Sequence, residues 1–114
     1  MKVLIVSANT LAAAPTGPAY IAGAALQAGH QVEVFECLFA QDLTGELGAC
    51  LRRFQPDVIG ISIRLVHAYV LDEKAELNTR HLDLRVREKE VVSCIRKTTQ
   101  VPVVLGGPGF NYYA

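Results

Sequence analysis

Three segments hold the groups of this sequence that could touch a ligand: SANTLAAAPTGP over 7–18, IRLVHAY over 63–69 and GGPGF over 106–110. None pairs a nucleophile with a base, so no catalytic residue is assigned. What they offer is mostly backbone. Gly106, Gly107 and Gly109 let amides approach a phosphate or a ribose with no Cβ in between. Arg64 is a cation that would pair equally well with a phosphate or with Asp72 or Glu73. His67 is an imidazole that could ligate a metal, although a histidine on a water-facing loop is the simpler reading. Cys37, Cys50 and Cys94 are odd in number and scattered, and they match no zinc or iron–sulfur spacing. They assign no metal ligand and suit buried thiols in a reducing cytoplasm.

The elements that must position these segments are legible from pattern. Val3 to Val6 is a continuous aliphatic run, as in a strand covered on both faces. Pro18 is placed to open a helix that runs to about Ala28, with Gly29 as its left-handed cap. Ile21, Ala25 and Ala28 would share one side of it. Gln31 to Phe35 alternates and reads as a more exposed strand. Leu43, Leu47, Leu51 and Phe54 give a second amphipathic helix, which Pro56 and Asp57 end. Val58 to Ile63 is a third strand, with Gly60 permitting close packing. Arg64 to about Asp83 has no clean period and reads as a long loop. A third helix follows, with Val91, Val92 and Ile95 facing inward and 85–90 as its solvated face. Val101 to Leu105 is a fourth strand.

Strands alternating with helices imply right-handed crossovers and a parallel sheet. The expected architecture is α/β: a flavodoxin-like, Rossmann-type doubly wound sheet in three layers, α/β/α, ending after its fourth strand. In such sheets the ligand lies beyond the carboxyl ends of the strands at the switch point, where the three segments above would gather. The length allows one domain, 1–114. Eleven basic residues balance eleven acidic ones, which leaves no electrostatic footprint for nucleic acid or an anionic membrane. No apolar run approaches the roughly 18 residues of a bilayer span, and MKVLIV lacks the build of a signal peptide. A cytoplasmic location is expected.

Taken in order, PTGPAYIAGAALQAGHQVEVFE, PDVIGISIR and IRKTTQVPVVLGGPGF resemble the cobalamin-binding domain that precedes the catalytic barrel in radical S-adenosylmethionine enzymes. The resemblance covers essentially the whole chain. It implies that the corrin sits over the strand ends and that its nucleotide tail inserts along the sheet. Carried over, it makes Asn9, Thr10 and Pro18 neighbours of the tail or corrin. Ser62 and Arg64 would lie at the end of the third strand, and Gly106, Gly107 and Gly109 would border the nucleotide. The slim Ala/Gly helix would leave room for the tail. The Asp-x-His-x-x-Gly loop of mutases and methionine synthase, whose histidine ligates cobalt, has no counterpart in SANTLAAAPTGP, so cobalamin would bind without that ligand. IRLVHAY also replaces the IRN-type sequence common in relatives.

The cysteine triad C-x-x-x-C-x-x-C is not in this sequence. S-adenosylmethionine and a four-iron four-sulfur cluster are therefore expected in the parent protein only. The partner implied is the catalytic radical S-adenosylmethionine domain of the same parent chain. A sheet ending at its fourth strand would also expose an uncharged edge, and self-association through that strand is expected. The competing reading is the amino-terminal α/β half of a GT-B-like glycosyltransferase, which shares a GH-V-V turn. A response-regulator receiver would need an aspartate where Ile63 or Arg64 stands, and a flavodoxin would need a contiguous hydroxyl-rich phosphate loop.

Overall fold

The computed structural model describes residues 1–8, 16–63, 67–71, 79–83 and 85–107. Along the chain run β1 (Lys2–Ser7), α1 (Thr16–Gln27), β2 (Gln31–Glu36), a 3-10 turn (Cys37–Phe39), α2 (Leu43–Phe54) and β3 (Val58–Ser62). Then come β4 (His67–Leu71), β5 (Thr79–Asp83), α3 (Arg85–Thr98) and β6 (Val103–Gly106). Strands β2, β1, β3 and β6 lie side by side in that order, all parallel. This is the α/β doubly wound sheet expected, with its order reversing between β1 and β3.

The alternate residues of the central strands divide the two faces. Leu4, Val6, Ile59 and Ile61 point to a core completed by Leu43, Leu47 and Leu51 of α2 and by Val91, Cys94 and Ile95 of α3. Burying each large side chain of this kind contributes roughly 1.5–3 kcal/mol, which fixes α2 and α3 on one face. Asp42 starts α2 by accepting the Gly45 amide at 3.3 Å, and Glu46 accepts the Asp42 amide in return at 2.9 Å. This reciprocal arrangement satisfies donors that a helix start leaves open. At the base of the sheet the Asp57 carboxylate accepts the Lys2 amide at 2.7 Å while the Asp57 amide donates to the Lys2 carbonyl at 2.8 Å. Helix α2 itself ends at Phe54 with Gln55 as a left-handed cap, and Asp57 beyond it registers β3 against β1.

On the opposite face α1 packs against β1 and β2. It begins two residues before Pro18, which lies in the first turn where a missing N–H is tolerated. Gly29, at φ 88°, ends it as expected: its amide donates to the Leu26 carbonyl and the His30 amide to the Ala25 carbonyl, the paired bonds of a Schellman cap. The side shared by Ile21, Ala25 and Ala28 is not the buried side of α1. Pro18 and Ala22 are buried, whereas Ile21 is 54% exposed and Ala28 is exposed. The helix is apolar around most of its girth, so periodicity alone cannot orient it.

The segment read as an irregular loop from Arg64 to Asp83 is in part an antiparallel pair. β4 and β5 form a separate two-stranded sheet with His67 opposite Asp83 and Leu71 opposite Thr79. A two-stranded ladder is held by backbone pairing and imposes no alternating apolar stripe, so HAYVL and TRHLD carry no period to read. Among the described residues no helix is long and apolar enough to cross a membrane.

Candidate functional site

Because α1 covers only β1 and β2, the face of β3 and β6 on that side carries no helix among the described residues. The register lays out its side chains in rows. Ser7, Ser62 and Gly106 align at the carboxyl ends; Ile5, Gly60 and Val104 form the next row; Val3 and Val58 lie opposite each other below. These strands, with Gly17 and Ile21 of α1 as the far wall, enclose a groove of about 280 Å³. That is near the lower end for a drug-sized ligand pocket, and Val104, 60% exposed, forms an open apolar rim.

Two glycines make the groove. A Cβ on Gly106 would meet nothing within 4 Å, and one on Gly60 would meet only Ile5 Cδ1 at 3.3 Å. Gly106 is therefore open to a side chain, Gly60 would take one only if the end of Ile5 gave way slightly, and the space both leave falls to the groove. Gly107 is different. At φ 102° it turns the chain beneath β3, and a Cβ there would lie 2.5 Å from the Ile63 carbonyl oxygen. It lines the groove, but the close backbone approach is what requires glycine. The Ile63 amide donates to the Gly106 carbonyl at 2.8 Å and the Ala8 amide to the Ser62 carbonyl at 3.1 Å, so the ends of β1, β3 and β6 are tied into one rim.

The groove is almost entirely apolar in its side chains, and Ser62 is the exception. Ser62 is only 9% exposed, and its hydroxyl has no side-chain partner among the described residues. A buried hydroxyl without a partner costs free energy, so this one is suited to a ligand that reaches the carboxyl end of the groove. Such an arrangement can hold a flat apolar group against the sheet and give one hydrogen bond at its mouth. It offers no acid, base or nucleophile.

Of the residues singled out from sequence, Ser62, Gly106 and Gly107 come together here. Pro18 is buried on the inner side of α1, between the groove-lining Gly17 and Ile21 but not itself in the lining. Asn9, Thr10, Arg64 and Gly109 lie outside the described residues, as does the side chain of His67, whose backbone opens β4. Sequence reasoning missed Ile5, Val58, Val104, Gly17 and Ile21 as site residues. Strand alternation combined with the strand order would have put the first three on one face.

The cysteines stand apart from the groove. Cys37, Cys50 and Cys94 are free and buried in the opposite core. Burial pushes the Cys50 thiol up, Glu33 adds to the shift and Arg53 opposes it. Burial likewise raises Cys94, against the pull of Lys97 and Arg52. Both stay neutral thiols at neutral pH and poor nucleophiles. Arg53 is committed to Glu33 across α2 and β2, and this bond raises its own pKa.

The fold and groove define a class: a doubly wound α/β domain with a ligand-sized cleft at its switch point. No protein-family model and no curated protein matches the chain. Among solved structures, the radical S-adenosylmethionine methyltransferase TsrM from Kitasatospora setae, with tryptophan substrate and the SAM analogue aza-SAM bound, matches 96% of this chain. The TM-score is 0.80 and the identity 26%. The same enzyme with cobalamin and a 4Fe-4S cluster bound matches 96% at a TM-score of 0.79 and 27% identity. This chain spans 19% and 18% of those two chains.

Proposed function

We propose that this chain is a cobalamin-binding domain of a radical S-adenosylmethionine enzyme, holding the corrin over the carboxyl ends of β1, β3 and β6. The observation that carries the reading is the groove on the β1/β3/β6 face, kept open by Gly60 and Gly106 and ended by the Ser62 hydroxyl. The likeness to cobalamin-bound TsrM over 96% of the chain supports it. The residues fit the cofactor: an apolar slot suits the heteroaromatic end of a nucleotide tail, and Ser62 and the glycine rim suit its sugar and phosphate. Asn9, Thr10, Arg64 and Gly109 belong to the same proposal as contacts at the strand ends. In this role the chain binds, orients and shields the cofactor. When bound, cobalamin would supply a cobalt centre able to carry an alkyl group. S-adenosylmethionine, the iron–sulfur cluster and the substrate would be held by a catalytic domain of the same parent chain.

Equilibrium dialysis against hydroxocobalamin tests this. One equivalent is expected to bind per folded chain, and Gly106→Phe is expected to weaken binding at least tenfold, about 1.4 kcal/mol. Its far-ultraviolet circular dichroism should stay unchanged, because a Cβ at this position meets open space. A folded wild-type chain that binds no hydroxocobalamin, or one that binds it no better than the variant, would contradict the reading.

A further inference from the structure

The chemistry of the groove changes along its length. At the carboxyl end stands Ser62, while the inner rows, Ile5 with Gly60 and Val104 and then Val3 with Val58, present only carbon. Ile21 closes the inner part from the α1 side. The backbone supplies no substitute. Strands β1 and β3 have a neighbour on each side and direct their amides and carbonyls into the ladders, β6 does so along its β3 edge, and the Ile59 amide, beside Val58, is taken by the Pro102 carbonyl at 3.0 Å. Among the described residues, a ring lying in the inner rows therefore finds surface for its carbons and no side-chain donor or acceptor for its polar edges.

We propose that the inner groove selects corrinoids by the base of their nucleotide tail, accepting dimethylbenzimidazole and rejecting a purine. This rests on the cobalamin reading above. Dimethylbenzimidazole carries two methyl groups and aromatic carbons on its outer ring, with a single free imidazole nitrogen. Adenine puts an amino group and ring nitrogens on that same edge. In the inner rows they would lose water and gain no partner. Discrimination of this kind arises from what the site omits, so it falls mainly on the wrong ligand.

The test compares three corrinoids that differ only below the ring: hydroxocobalamin, its adeninyl analogue, and cobinamide, which has no base. Affinities for the full chain are measured by equilibrium dialysis. Hydroxocobalamin is expected to bind about thirtyfold more tightly than the adeninyl analogue, about 2 kcal/mol, with the adeninyl analogue close to cobinamide. Val58→Thr, which adds a hydroxyl to the innermost row at nearly constant volume, is expected to narrow that ratio at least threefold. Equal binding of the two complete corrinoids, both above cobinamide, would overturn base selection while leaving the tail in the groove. Equal binding of all three would show that the tail contributes nothing and also overturn it. A wide ratio untouched by Val58→Thr would place selection elsewhere and overturn its assignment to these rows. Failure of every corrinoid to bind would instead overturn the cobalamin reading, and base selection with it.

Discussion

Gly107→Ala is expected to lower the stability of the fold by about 2–4 kcal/mol, seen as a fall in the urea midpoint with an unchanged slope. Two costs combine. At φ 102° a Cβ is strained whatever the space around it, a penalty of about 1–2 kcal/mol. The new methyl group would also lie 2.5 Å from the Ile63 carbonyl oxygen and 3.0 Å from the Ile63 nitrogen. Both are backbone atoms at the end of β3, so they cannot move aside as a side chain can, and Ile63 is already tied to the Gly106 carbonyl. Gly29→Ala is the control. Gly29 has a comparable φ of 88°, but nothing lies within 4 Å of the added Cβ, so only the conformational cost, about 1–2 kcal/mol, should appear. Equal losses in the two variants would mean that the contact with Ile63 is not close.

Leu47→Ala is expected to cost about 2–5 kcal/mol. Leu47 is 0% exposed and lies in the cluster where α2 meets the inner residues of β1, β3 and α3. Removing most of its side chain forfeits the transfer free energy of those carbons and leaves a cavity that Leu4, Ile59 and Ile95 can fill only in part. Leu26→Ala, on the exposed side of α1, should change stability by less than about 0.5 kcal/mol. Thermal or urea unfolding of the two variants beside the parent chain checks the contrast. Similar losses would mean that Leu47 of α2 is no more tightly packed than the exposed side of α1.

These contrasts follow from how unevenly the sequence displays its structure. The aliphatic runs of β1 and β3 and the Leu43, Leu47, Leu51 and Phe54 stripe of α2 are strong signals, because each element must bury a continuous face. Gly29 was legible because a helix needs a left-handed residue after its last turn. The inner side of α1 was not legible, since alanine and glycine contribute little burial wherever they point, and Ile21 went to the groove wall instead of the interior. The β4/β5 pair was missed because backbone pairing in two strands leaves no apolar period.

The site was half legible. Ser62, Gly106 and Gly107 could be assigned to strand ends by counting along predicted strands. The apolar inner rows depend on the pairing of Ile5 with Gly60 and of Gly60 with Val104, and such cross-strand register is not written in any single segment. Gly60 shows the difference most clearly. Read locally it permits close packing; in the sheet its missing side chain helps to hollow the groove.

The most direct test of the central claim is the electron paramagnetic resonance spectrum of the cobalt(II) form of cobalamin bound to the full chain. If the nucleotide tail occupies the groove between α1 and the β3/β6 face, its base has left cobalt. SANTLAAAPTGP supplies no histidine in its place, so the cobalt lines should show no nitrogen splitting. Retained nitrogen splitting would mean that the base or His67 still sits on cobalt, and would contradict the account.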